Sequence, residues 1–114
     1  MTIESYNYDQ PVSGDTQIEH VDITIAKGEN VKQYTPVAHD ADTGHFKAVA
    51  ATDTSAQFLT SFAVDASTAA VAHRAIKAMD IDPDFVAWPD KMTEAVKTGL
   101  FAGTPISIQS PRSA

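Results

Sequence analysis

The sequence predicts a mostly β domain with one short helix near its C-terminus and an extended N-terminal arm. Three observations carry this reading. Short segments of alternating apolar and polar residues recur between Val21 and Ile108, each closed by turn-forming residues. One stretch, Asp90 to Thr98, instead spaces its apolar residues four apart. The first twenty residues show neither period. The expected organisation is an arm over residues 1–20, a β-rich domain over 21–110 and a flexible tail over 111–114.

At 114 residues the chain is one domain, long enough for a core and too short for two. It has no cysteine, so disulfides and thiolate zinc sites are excluded. No apolar run approaches the ~20 residues of a membrane span, and no basic-then-apolar leader opens the chain. The expectation is a soluble protein with no membrane contact. The formal net charge is −7, and residues 1–26 hold Glu4, Asp9, Asp15, Glu19 and Asp22 with no Lys or Arg. An acidic chain without a basic stripe repels phosphate backbones, which argues against direct nucleic-acid binding.

The opening "MTIESYNYDQPVSGDTQ" lacks periodicity, yet Ile3, Tyr6, Tyr8, Pro11 and Val12 are too apolar for a pure spacer. Composition says that such a segment does not fold alone; it is either a disordered leader or a segment that orders against a partner.

The folded part is expected to start with "IEHVDITIA", where Val21, Ile23 and Ile25 alternate with Asp22 and Thr24 up to Lys27-Gly28. "VKQYTPVA" and "GHFKAVAA" flank "HDADTG", which reads as a hairpin. "QFLTSFAV" puts Phe58, Phe62 and Val64 on one side of a further strand, turned by Asp65-Ala66-Ser67. "TAAVAHRAIKAMDI" is ambiguous: five alanines favour a helix, whereas period two places Val71, His73 and Ala75 on one face. Asp90 is expected to cap a short helix with Met92 and Val96 facing inward and Gly99 ending it. Trp88 beside it is expected to be the largest core anchor, its loss costing ~3–5 kcal/mol if the indole is buried. In "FAGTPISI", Gly103 permits an unusual backbone and Pro105 suits a strand start. Ile106 and Ile108 then alternate with Ser107 and Gln109, so the tail reads as a closing strand that also holds Phe101 in the core.

The densest polar cluster is "HDADTGH", with His39, Asp40, Asp42 and His45. Such residues can hold a divalent metal, and Asp40-x-Asp42-x-Gly44 resembles a calcium loop, but the twelfth position from Asp40 is Ala51 instead of the required Glu. A hairpin tip needs the same residues, so the turn reading is preferred and no metal is expected. Asp80, Asp82 and Asp84 read as a solvated turn around Pro83. No nucleophile elbow, Walker loop, HExxH or dinucleotide fingerprint is present, so no catalytic residue and no cofactor is assigned.

"FVAWPDKMTEAVKTGLFAGTPISI", Phe85 to Ile108, resembles the C-terminal pattern of the lambda-type phage head decoration proteins: a Trp-Pro pair, a short polar helix, then Phe-Ala-Gly-Thr-x-Ile-Ser-Ile. Trp88-Pro89, Phe101 to Thr104 and Ile106 to Ile108 fit in order and spacing. Upstream, Thr35-Pro36-Val37, the hairpin and "SAQFLTSFAVDAST" resemble the family's earlier strands, so the likeness covers about Thr35 to Ile108. It implies a small β-rich homotrimer of the β-clip kind, seated on the outside of an expanded phage head at threefold sites. It also implies a cement role: tying major capsid protein subunits together against internal genome pressure, in a virion protein made late in the host cytoplasm. The family's N-terminal arm orders on the capsid; here the correspondence is one of position and character over about residues 2–20, not of residues. The resemblance places Val71 to Ile76 in a strand. Two rivals remain from the residues alone: a β-rich adaptor or receptor-binding module of a virion, and a metal-dependent hydrolase built on His39 to His45.

Overall fold

The computed structural model describes residues 17–109, and the protein is mostly β with one short helix. The elements run β1 (Glu19–Ile25), β2 (Asn30–Val31), β3 (Pro36–His39), β4 (Phe46–Ala48), β5 (Phe58–Leu59), β6 (Val64–Asp65), β7 (Val71–Ile81), a 3-10 turn (Pro83–Phe85), α1 (Glu94–Gly99) and β8 (Ile106–Ile108). Glu19 and His20, assigned to the arm on sequence grounds, form the first rungs of β1 against β7.

β1 lies antiparallel to β7 from Glu19↔Ala78 to Ile25↔Val71, with an irregularity between Glu19 and His20. β7 pairs with β5, β5 with β3 and β3 with β4. β4 returns to β1 in parallel at Ile25↔Phe46, and the Ala26 amide donates to the Phe46 carbonyl at 2.9 Å. Five strands therefore close on themselves, which removes most exposed strand edges. β8 adds in parallel to the end of β7, Met79↔Ile106 to Ile81↔Ile108. β2 and β6 form a separate two-stranded ribbon.

The alanine-rich stretch is thus one eleven-residue strand, and burial explains why. Ala75 packs into a cluster with Ile23, Ile25, Val37 and Val64, while Ile76, Met79 and Ile81 pack into a second cluster with Leu59, Leu100, Phe101 and Ile106. Ala75 and Ile76 are successive and point to opposite faces. The register shift that skips Lys77 opposite Glu19 and His20 brings Met79 and Ile81 to the face of Ile76, so one extended chain serves both clusters. Ladder pairing to β1, β5 and β8 then outweighs alanine's helix preference, a few tenths of a kcal/mol per residue.

Phe62 is not a core residue. It is 56% exposed, because "QFLTSFAV" is two strands rather than one. Thr60 is fully buried, accepts the Thr35 amide at 2.9 Å and donates to the Lys32 carbonyl at 2.6 Å. The Ser61 hydroxyl donates to the Arg74 carbonyl. These bonds bend the chain between β5 and β6, so alternation does not carry across, and Phe62 instead meets the His73 ring edge-on, centroids 4.5 Å apart.

His73 itself is buried. Its Nε2 accepts the Ser61 amide at 3.1 Å, so the proton sits on Nδ1, which has no hydrogen-bond partner among the described residues. Burial pushes its pKa below the usual imidazole value. The folded state keeps His73 neutral while the unfolded chain takes up a proton near pH ~6.5. This contribution to stability is complete above that pH and is lost as pH falls toward the lowered folded value. His73→Gln, which keeps an acceptor for Ser61, should flatten the fall in Tm between about pH 7.5 and pH 5.5. An unchanged pH profile would assign the acid sensitivity elsewhere.

Candidate functional site

The two ends of the described chain meet at one end of the barrel. Glu19 starts β1 opposite Ala78, and β8 runs beside Met79 to Ile81, so both leave along the last four residues of β7. The closing strand is set by the turn before it. Gly103 has φ +84°, a conformation that glycine adopts without strain. Thr104 donates its amide and its hydroxyl to the Phe101 carbonyl at 3.0 and 2.7 Å, then accepts the Ile106 amide at 3.2 Å. The Gln109 amide donates to the Ile81 carbonyl at 2.9 Å, extending the pairing beyond β8.

Beside β8 lies a groove of about 530 Å³, walled by the 3-10 turn, Trp88 and one side of α1. The turn is capped by Asp82, whose Oδ1 accepts the Asp84 amide at 2.9 Å. Asp80 and Asp82 are buried, so the three alternating aspartates are not a solvated turn; Asp84 alone is exposed. The helix starts later than its sequence suggests. Lys91 has φ +69°, outside helical space, so Asp90 cannot cap; Thr93 does, its hydroxyl accepting the Val96 amide at 3.3 Å. Met92 is buried ahead of the helix, and Leu100 behind it is fully buried.

Of the predicted core residues, Phe101 and Ile106 are buried, and Phe58 and Ile108 pack half-buried against the two clusters. Trp88 is half-buried, not the deepest anchor. Its indole N–H donates to the Pro83 carbonyl at 3.0 Å and the Lys97 ammonium stands 5.5 Å from its ring centroid. The reason is positional: the ring packs against the core cluster and also lines the groove, with Lys97 over it. Trp88→Ala should therefore cost about 1.5–3 kcal/mol instead of unfolding the domain. A urea titration gives the value, and loss of the cooperative transition would contradict it. The arm residues Ile3, Tyr6, Tyr8, Pro11 and Val12 and the tail 111–114 lie outside the described residues.

The "HDADTGH" cluster is a hairpin tip. Asp40 Oδ1 accepts the Asp42 amide at 3.0 Å and Oδ2 pairs with Lys47 at 3.1 Å; the two contacts, the amide first, hold its pKa below the usual carboxylate value. The Gly44 and Asp40 amides close the turn onto the Asp40 and His45 carbonyls at 2.8 Å each. Among the described residues no three His, Cys, Asp or Glu side chains are grouped to hold a metal ion, and no helix is long and apolar enough to cross a membrane.

The family model for bacteriophage lambda head decoration protein D matches residues 1–107. The chain belongs to this family. Comparison with curated proteins found no match. As a head decoration protein it is a component of the phage virion that binds the capsid, in a family of structural proteins and not of enzymes. The match takes in the arm segment as well as the barrel, so the region without sequence periodicity lies inside the family's common extent. Glu94 and Lys97 at the groove were not singled out by sequence reasoning, and Asp84 was read only as part of a solvated turn. The available signal was the run of charged residues flanking Trp88-Pro89, but charges on a short turn and a short helix look alike whether or not they frame a cleft.

Proposed function

We propose that this head decoration protein acts as a homotrimeric cement on the outer surface of the expanded phage head. It sits at threefold sites, ties neighbouring major capsid protein subunits together and resists internal genome pressure. The family match over residues 1–107 carries this reading, because it spans the arm as well as the barrel. The arm, with Ile3, Tyr6, Tyr8, Pro11 and Val12 as its contact residues, grips the shell. It enters the domain at Glu19, opposite Ala78 near the end of β7 along which β8 also runs, so that end of the barrel faces the capsid. The protein is made in the host cytoplasm and joins the shell after assembly.

Physical chemistry supports such a device. An extended segment that adds to a partner sheet gains main-chain hydrogen bonds with little demand on side-chain identity. Fixing its backbone costs about 1–2 kcal/mol per residue, so a single arm binds modestly. Three arms on one trimer raise avidity by about 10²–10⁴. A ligand of the assembled lattice that does not bind unfolded subunits stabilises the shell by mass action.

Purified protein added to undecorated expanded heads and imaged should give density at the threefold junctions, and its native mass spectrum should show a trimer. Density away from subunit junctions, or a monomer at micromolar concentration, would overturn the reading.

A further inference from the structure

The groove beside Trp88 is used by nothing described so far. Its apolar wall is Trp88, Val86 and Ile108, and among the described residues its rim carries two exposed carboxylates, Asp84 and Glu94, against one cation, Lys97. Its volume, about 530 Å³, is within the range of ligand clefts, and it is an open groove instead of an enclosed cavity, which suits a few side chains of an extended peptide. We propose that it is a second grip on the shell, taking an extended segment of a capsid subunit that bears a Lys or Arg next to an apolar side chain. This rests on the capsid-binding reading above and adds a specific contact to it.

Three features select that occupant. The first is position. Ile108 at the groove pairs with Ile81, three residues along β7 from the Ala78 that faces Glu19, a separation of about 10 Å at ~3.3 Å per residue. The groove thus opens at the end of the barrel from which the arm departs, and one shell surface reaches both. The second is charge. Carboxylates outnumber amines at the described rim, and residues 1–26 carry five acids and no Lys or Arg. Glu19 and Asp22 pair with Lys77 and Arg74 of β7, and the remaining excess of acid favours a cationic partner. The third is the aromatic wall. Trp88 is pinned by its bond to Pro83, while the Lys97 ammonium over its ring is half-exposed and exchangeable, so an incoming guanidinium or ammonium can take the same place. The chain's own last residues include Arg112 and are the competing occupant.

The test uses full-length protein and undecorated expanded shells. Asp84→Asn with Glu94→Gln changes only exposed side chains and should leave the thermal transition in place. It should weaken co-sedimentation with shells about tenfold and flatten its salt dependence. Trp88 is the only tryptophan, so 7-azatryptophan labelling lets its emission be read above the unlabelled shell, and it should shift on binding. Unchanged affinity of the double variant, or identical emission free and bound, would overturn the proposal. So would a shift in Trp88 emission when residues 110–114 are removed from the free protein, since the tail would then fill the groove. Failure of the unmodified protein to sediment with shells would instead bring down the capsid-binding reading on which the proposal stands.

Discussion

A chain ending at Pro105 should show no cooperative thermal transition and no fixed near-UV signal from Trp88. The truncation removes Ile106, 4% exposed, and half-buried Ile108, together with the parallel pairing to Met79, Asp80 and Ile81. Burial of a large aliphatic side chain contributes about 1.5–3 kcal/mol, and each lost ladder bond about 1 kcal/mol. Met79 and Ile81, 1% and 0% exposed, would also lose the strand that covers them. The sum, about 5 kcal/mol or more, reaches the whole stability of a small domain, about 5–15 kcal/mol. The milder Ile106→Ala should lower stability by about 2–4 kcal/mol with the transition intact. A truncated protein that melts at the full-length temperature would show β8 to be an appendage.

Removal of residues 2–18 should have the opposite pattern: a normal melt and a large loss of function. The cut stops before Glu19 because Glu19 and His20 already pair with β7. Every rung of β1 and every residue of the two core clusters then remains. If the arm supplies the grip, affinity for expanded shells should fall by about 10²-fold or more, since the loss is repeated in each copy of a multivalent ligand. Protection of shells against heat should vanish with it. Shells protected equally well by the shortened chain would remove the arm from the mechanism and leave the barrel end, groove included, as the binding surface.

The arm was legible as an arm because its composition and lack of period set it apart, although no sequence argument distinguishes a leader from a grip. The family match over residues 1–107 decides that the segment lies within the common extent. The groove was not legible. Asp84 and Glu94 are ten residues apart on separate elements, and nothing in their spacing says that Trp88 stands between them.

Local chemistry was enough for several elements. The alternation of Val21, Ile23 and Ile25 specified β1. The Asp/Thr/Gly cluster specified the hairpin of β3 and β4, and Gly103 with Ile106 and Ile108 specified the turn and closing strand. In each case the residues that define the element also satisfy its hydrogen bonds or bury its one apolar face. Tertiary context alone made Val71–Ile81 a strand, exposed Phe62, moved the helix cap from Asp90 to Thr93 and left Trp88 half-buried. Period and propensity report which way a side chain points along its own segment. They do not report the packing, backbone bends and side-chain bonds that the rest of the fold imposes, and at these four places those outweighed the local preference.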